Sequence, residues 1–83
     1  MKVKVKFFAQ HREAVGKSEI ELNIEKTEGT TVARLYEALV AKYPGLAKLS
    51  RITLAVVNYN MVNEWEMVKD GDEVAFFPPM GGA

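Results

Sequence analysis

The chain is laid out in stretches of alternating and helical periodicity. Val3, Val5 and Phe7 alternate with Lys2, Lys4, Lys6 and Phe8. A period of two predicts a strand with one apolar face. His11 to Lys17 is polar apart from Ala14 and Val15 and contains Gly16, so it reads as a turn. Ile20, Leu22 and Ile24 alternate with Glu19, Glu21 and Asn23, a second strand that forms a hairpin with the first. Glu25 to Thr30 is a polar connection, and Thr30 or Thr31 can cap the helix that follows. Val32, Leu35, Tyr36, Leu39, Val40 and Tyr43 recur at spacings of three and four, which predicts an amphipathic helix of about three turns. Pro44-Gly45 stops it.

Beyond that stop, Ile52 to Val57 is an apolar, β-branched run that reads as a third strand. Asn58 to Asn60 reads as a turn, and Met61 to Val68 has room for one short strand. Asp70-Gly71-Asp72 is a turn signal. Val74 and Phe76 then alternate with Glu73, Ala75 and Phe77 in a last strand, ended by Pro78-Pro79. A hairpin, a helix laid across it and later strands make an α+β domain of two layers. Ubiquitin's β-grasp fold has this order. The expected architecture is a mixed sheet of four to five strands with one main helix packed on one face. Residues 1–79 form the domain and residues 80–83 a flexible tail.

Composition narrows the function classes. The 83 residues hold eleven basic and eleven acidic side chains, 48% hydrophobic residues and no cysteine. A neutral chain has no general pull toward nucleic acid or an anionic membrane. Without cysteine there is no thiolate metal ligand, disulfide or cysteine nucleophile. No apolar run approaches the roughly 20 residues of a membrane span. Lys2, Lys4 and Lys6 interrupt any signal-peptide core, so a cytoplasmic location is expected.

Side-chain chemistry is sparse. The single histidine, His11, reads as a solvated turn residue, and it lacks the partners a catalytic or metal centre needs. Asp70, Asp72 and Glu73 lack the spacing of a calcium loop and read as a solvated turn. No metal site and no stably bound cofactor is expected.

Two features carry more. Strand parity places Phe8 with the lysines and Phe77 with Glu73, on the sheet face that the helix does not cover. In a β-grasp fold the first and last strands are neighbours, so the two rings form one exposed patch, a candidate partner site. The second feature is the tail. Pro78-Pro79 directs the chain away from the sheet, and Gly81-Gly82 supplies backbone free of Cβ, able to thread a narrow channel.

Phe7-Phe8-Ala9-Gln10 with Arg12-Glu13 and Gly16, Ala55-Val56-Val57-Asn58, and Asp70 through Pro79 together resemble the molybdopterin synthase small-subunit family, the MoaD/ThiS sulfur carriers. The resemblance spans the chain. It implies a sulfur carrier whose C-terminal carboxylate is adenylated by a ubiquitin-activating-like adenylyltransferase that uses ATP. Sulfur then replaces AMP to give a thiocarboxylate. The tail would insert into the large subunit of molybdopterin synthase and donate sulfur to the dithiolene of molybdopterin. The small subunit is the non-catalytic partner in that enzyme, in a heterotetramer. The family's contact surface maps onto Phe8, Met61 and Phe77, continued by Pro78, Pro79 and Met80. The reacting end maps onto Gly81, Gly82 and Ala83.

The family ends in Gly-Gly, whereas here Ala83 follows Gly82. Ala83 is either activated itself or removed first. Removal shortens the tail by about 3.3–3.6 Å, and this favours an intact Ala83. The same features also fit a ubiquitin-like modifier joined to lysines through the tail, a carrier for another sulfur pathway, or an interaction module with a blocked tail.

Overall fold

The computed structural model describes residues 1–25 and 29–77, with the backbone alone for residues 50–52. The elements run β1 (Lys2–Phe7), α1 (Ala9–Val15), β2 (Glu19–Asn23), β3 (Thr30–Thr31), α2 (Val32–Lys42), a 3₁₀ segment (Pro44–Ile52), β4 (Leu54–Val57), β5 (Asn60–Val62), β6 (Met67–Val68) and β7 (Glu73–Phe77). Five strands form one mixed sheet in the order β2-β1-β7-β4-β5, and β3 pairs with β6 separately. β1 and β7 are parallel; every other pairing is antiparallel. This is the β-grasp arrangement that the sequence pattern predicts.

The inner face of the sheet buries Val3, Val5, Phe7, Ala55, Val57, Val74 and Phe76, each alternate residue of its strand. α2 closes over it with Val32, Leu35, Tyr36 and Leu39. Phe7 stacks on Phe76 at 6.5 Å between ring centroids, and Tyr36 meets Phe76 edge-on at 5.2 Å. The start of α2 is capped by both a side chain and the main chain. The Thr31 hydroxyl accepts from the Arg34 amide, and the carbonyls of Glu66 and Glu64 accept from Val32 and Ala33. These are three of the donors that a helix start leaves unpaired. In the turn before β7, Asp70 accepts from the Lys2 amide at 2.7 Å and Asp72 from the Lys69 amide at 2.8 Å. Both carboxylates therefore serve the backbone, as the turn reading expects.

Four expectations need correction. The stretch after Phe8 is the helix α1, closed by Gly16 in the left-handed region at φ 83°. His11 and Val15 stand one helical turn apart and are both buried, so His11 is a core residue rather than a solvated one. The third strand starts at Leu54, because Ile52 ends the 3₁₀ segment. Met61 to Val68 contributes to two short strands rather than one. Asn58 and Tyr59, at φ 48° and 71°, make the tight turn that joins β4 to β5.

Candidate partner face and tail exit

The outer face divides into two halves of opposite character. On β1 and β2 it carries charge: Lys2 lies 3.8 Å from Glu21 and Lys4 3.9 Å from Glu19, while Lys6 reaches Glu73 on β7 at 3.5 Å. Past Glu73, on β7, β4 and β5, it is apolar. Register sets Phe77 opposite Leu54, and sets Ala75, Val56 and Met61 in a row across three strands. Phe8, which opens α1, packs its ring edge-on against Phe77 at 6.2 Å. Phe8 is 48% exposed and Met61 65% exposed, whereas Phe77 is half-buried by its neighbours.

The structure therefore brings Phe8 and Phe77 together as strand parity predicts. Met61 joins the same face two strands from β7, about 10 Å away at the usual strand spacing. Leu54, Val56 and Ala75 complete the patch. Ala75 shares the parity of Phe77 in the sequence, but the side of Leu54 and Val56 is hidden because Ile52 to Val57 is an apolar run without clear alternation. The register that fixes their side comes from pairing with β7. The remaining predicted residues, Pro78, Pro79, Met80, Gly81, Gly82 and Ala83, lie outside the described residues.

β7 is central in the sheet, and its last residue, Phe77, belongs to the patch. The Phe8 amide donates to the Phe76 carbonyl at 3.2 Å, fixing the start of α1 against the end of β7. β7 thus ends where the apolar surface is concentrated. Among the described residues no group of three His, Asp or Glu is placed to hold a metal.

A buried polar network lies at the same end of the sheet, on the inner side. Tyr36 donates its hydroxyl proton to the Leu46 carbonyl at 2.6 Å, and Thr53 donates to the Leu49 carbonyl at 2.6 Å. Having spent its only proton, Thr53 Oγ1 accepts from His11 Nε2 at 2.6 Å. That assignment makes His11 the neutral Nε2–H tautomer. Among the described residues its Nδ1 has no hydrogen-bond partner. Burial pushes the His11 pKa below its ordinary value, an effect the nearby Phe8 carbonyl partly offsets. Burial also raises the Tyr36 pKa, against a smaller lowering by Thr53. The network ties α1, α2 and the 3₁₀ segment together. His11 is fully buried, whereas Tyr36 and Thr53 also line a groove beside α2; the hydrogen bonds that join the three elements give the network a structural role.

A mixed sheet clasping one helix, with an apolar outer patch where the last strand leaves, defines a ubiquitin-like β-grasp protein. Haloferax volcanii SAMP1 superposes on it with a TM-score of 0.80 at 26% identity, over the full length of both chains. The ThiS family model matches residues 5–82, and the chain belongs to the ThiS family. It is 40% identical over 82 residues to the molybdopterin synthase sulfur carrier subunit of Escherichia coli, covering 96% of this chain and 98% of that one. It is 33% identical over 84 residues to the same subunit of Chlamydomonas reinhardtii, covering 99% of both.

Proposed function

We propose that the chain carries sulfur as the small subunit of molybdopterin synthase. Its terminal carboxylate attacks the α-phosphate of ATP on a ubiquitin-activating-like adenylyltransferase, releasing pyrophosphate and leaving an acyl-adenylate. A sulfur nucleophile then adds to the activated carbonyl and AMP departs, which leaves a thiocarboxylate. This is covalent activation carried by the main chain, so no side-chain nucleophile is required. The thiocarboxylate delivers its sulfur inside the large subunit, toward the dithiolene of molybdopterin.

The observation that carries this reading is the Phe8–Phe77 pair on the uncovered face, at the point where β7 ends. A partner that buries this pair receives the chain's last six residues, which can reach about 20 Å when extended. Docking and delivery are thereby coupled in one surface. The full-length similarity to sulfur carrier subunits supports the same reading.

Intact-mass measurement on protein purified from its own cells tests it. The expected result is replacement of one oxygen by sulfur at the C-terminus, on the chain ending in Ala83. The same replacement on a chain ending in Gly82 would establish trimming before activation. A C-terminus that stays an ordinary carboxylate in cells making molybdopterin would end the proposal.

The likeness to SAMP1, a small archaeal modifier protein in other structures of that series, supports a second reading. There a lysine amine replaces sulfur as the nucleophile, AMP still leaves, and an isopeptide bond forms. Peptide mapping that finds the tail on target lysines distinguishes this outcome.

A further inference from the structure

The chain holds a second apolar surface, away from the outer sheet face and independent of the sulfur reading. Trp65 is the only tryptophan and is 71% exposed. Its backbone is nonetheless held firmly. The Trp65 amide donates to Asn63 Oδ1 at 2.9 Å, and the Glu66 amide donates to the Asn63 carbonyl at 3.2 Å. On either side, Glu64 and Glu66 are fastened to the first turn of α2 through their carbonyls, each at 2.9 Å. An indole presented to solvent from a fixed backbone loses little freedom on binding, and tryptophan is a preferred anchor at interfaces.

Beside the indole runs a groove of about 1030 Å³ between α2 and the β4–β5 hairpin. Its apolar lining includes Val40, Ala55 and Val62. β5 is an edge strand, so one side of the hairpin offers unpaired main-chain groups. The ionisable carboxylates lining the groove are Glu37 and Glu64, and no Lys, Arg or His is among the described lining residues. The chain as a whole is neutral, so the negative character is local. Among the described residues the one cation stacked on a ring is Lys42 over Tyr43, not one over Trp65.

We propose that this groove docks an extended segment of a partner protein carrying an arginine next to apolar residues. The segment adds to the free edge of β5 by main-chain pairing. An apolar side chain enters between Val40 and Val62. The guanidinium lies over the Trp65 ring and pairs with Glu64 and Glu37. Because Phe8 and Phe77 stand on the opposite face of the sheet, this partner can bind while the outer patch is occupied.

Titration with acetyl-Val-Arg-Val-Arg-Val-amide, followed by Trp65 fluorescence and amide NMR, tests the proposal. The expected result is a saturable change in indole emission, with shifts concentrated at Asn60–Val62 and Glu37. Binding should weaken about fivefold in the Glu37→Gln/Glu64→Gln double variant, the size expected for losing two exposed ion pairs. Raised salt should weaken it in the same direction. Trp65→Ala should lose the NMR shifts and unfold at an unchanged urea midpoint. Equal binding of acetyl-Val-Glu-Val-Glu-Val-amide would overturn the proposal. So would shifts centred on Phe8 and Phe77, no saturable response, or an emission change that depends on protein concentration alone, which would assign the groove to a second copy of the chain.

Discussion

Two pairs of adjacent phenylalanines, Phe7-Phe8 and Phe76-Phe77, divide between the faces of one sheet. Phe7 and Phe76 stack in the core at about 1% exposure each, while Phe8 and Phe77 meet edge-on at the surface. The residue type and the approximate ring separation are the same. The difference is what lies above: α2 covers the inner pair, and no described element covers the outer pair. An aromatic ring thus contributes to folding where its own chain buries it, and is available for binding where it does not.

The sharpest test replaces one ring at a time. Phe76→Ala empties a site walled by Phe7 and Tyr36 and is expected to lower stability by about 3–5 kcal/mol in urea unfolding. A loss near 1 kcal/mol would mean that the inner face is not the core. Next in size is Thr53→Val, which keeps the shape but removes the hydroxyl. It leaves the Leu49 carbonyl and His11 Nε2–H without their partner. Unpaired buried groups of this kind cost about 1–3 kcal/mol each, so a measurable drop of about 2 kcal/mol is expected, with near-native far-UV dichroism.

His11 adds a pH dependence to the inner side. Among the described residues no carboxylate is paired with its ring; Thr53 from the segment before β4 and the Phe8 carbonyl face it, and Arg12 and Glu13 of its own helix are exposed. Its folded pKa lies below the ordinary 6.5, so the unfolded chain binds the proton more readily. Stability is therefore complete above pH 6.5 and falls as pH drops from 6.5 toward the lowered folded value. His11→Gln should flatten that part of the urea-midpoint profile. An unchanged slope would assign the dependence to other groups. A smaller effect is expected for Phe77→Ala, about 1 kcal/mol, because the ring is half-buried and its principal aromatic contact is Phe8. Its binding to the large subunit should fall further than its stability. A loss as large as that of Phe76→Ala would show that the outer ring is core and erase the contrast.

The contrast itself was legible before the structure, since parity alone separates Phe7 from Phe8 and Phe76 from Phe77. The helix over 32–42 was legible for the same reason, and its cap was narrowed to Thr30 or Thr31, of which Thr31 is the one used: each follows from local periodicity and local hydrogen bonding. α1 was not, because a polar surface outweighed its short apolar stripe. Its signal was the placement of His11, Ala14 and Val15 at i, i+3 and i+4, followed by Gly16. A histidine counts as polar in that pattern, yet it is fully buried here, with its Nε2 paired to Thr53 forty-two residues away. Val56 and Leu54 were hidden for another reason. A run with apolar residues at every position does not declare its outward side until the strand is paired. Trp65 was missed because a lone aromatic between two glutamates has no period, and its fixed position depends on the start of α2.

The smallest expected effect belongs to the charged half of the outer face. Lys4 and Glu19 stand 3.9 Å apart with about half of each side chain exposed. Water screens such a pair and both side chains lose freedom in holding it, so exposed pairs contribute roughly 0.2–1 kcal/mol. A double-mutant cycle of Lys4→Ala and Glu19→Ala is expected to give a coupling of no more than about 0.5 kcal/mol, declining with added salt. If the coupling instead exceeds that of Phe8 with Phe77, charge rather than apolar contact dominates this face. The division of the outer surface into a solvated half and a docking half would then have to be redrawn. A small coupling leaves β1 and β2 as the solvated border of a binding surface built on β7, β4 and β5.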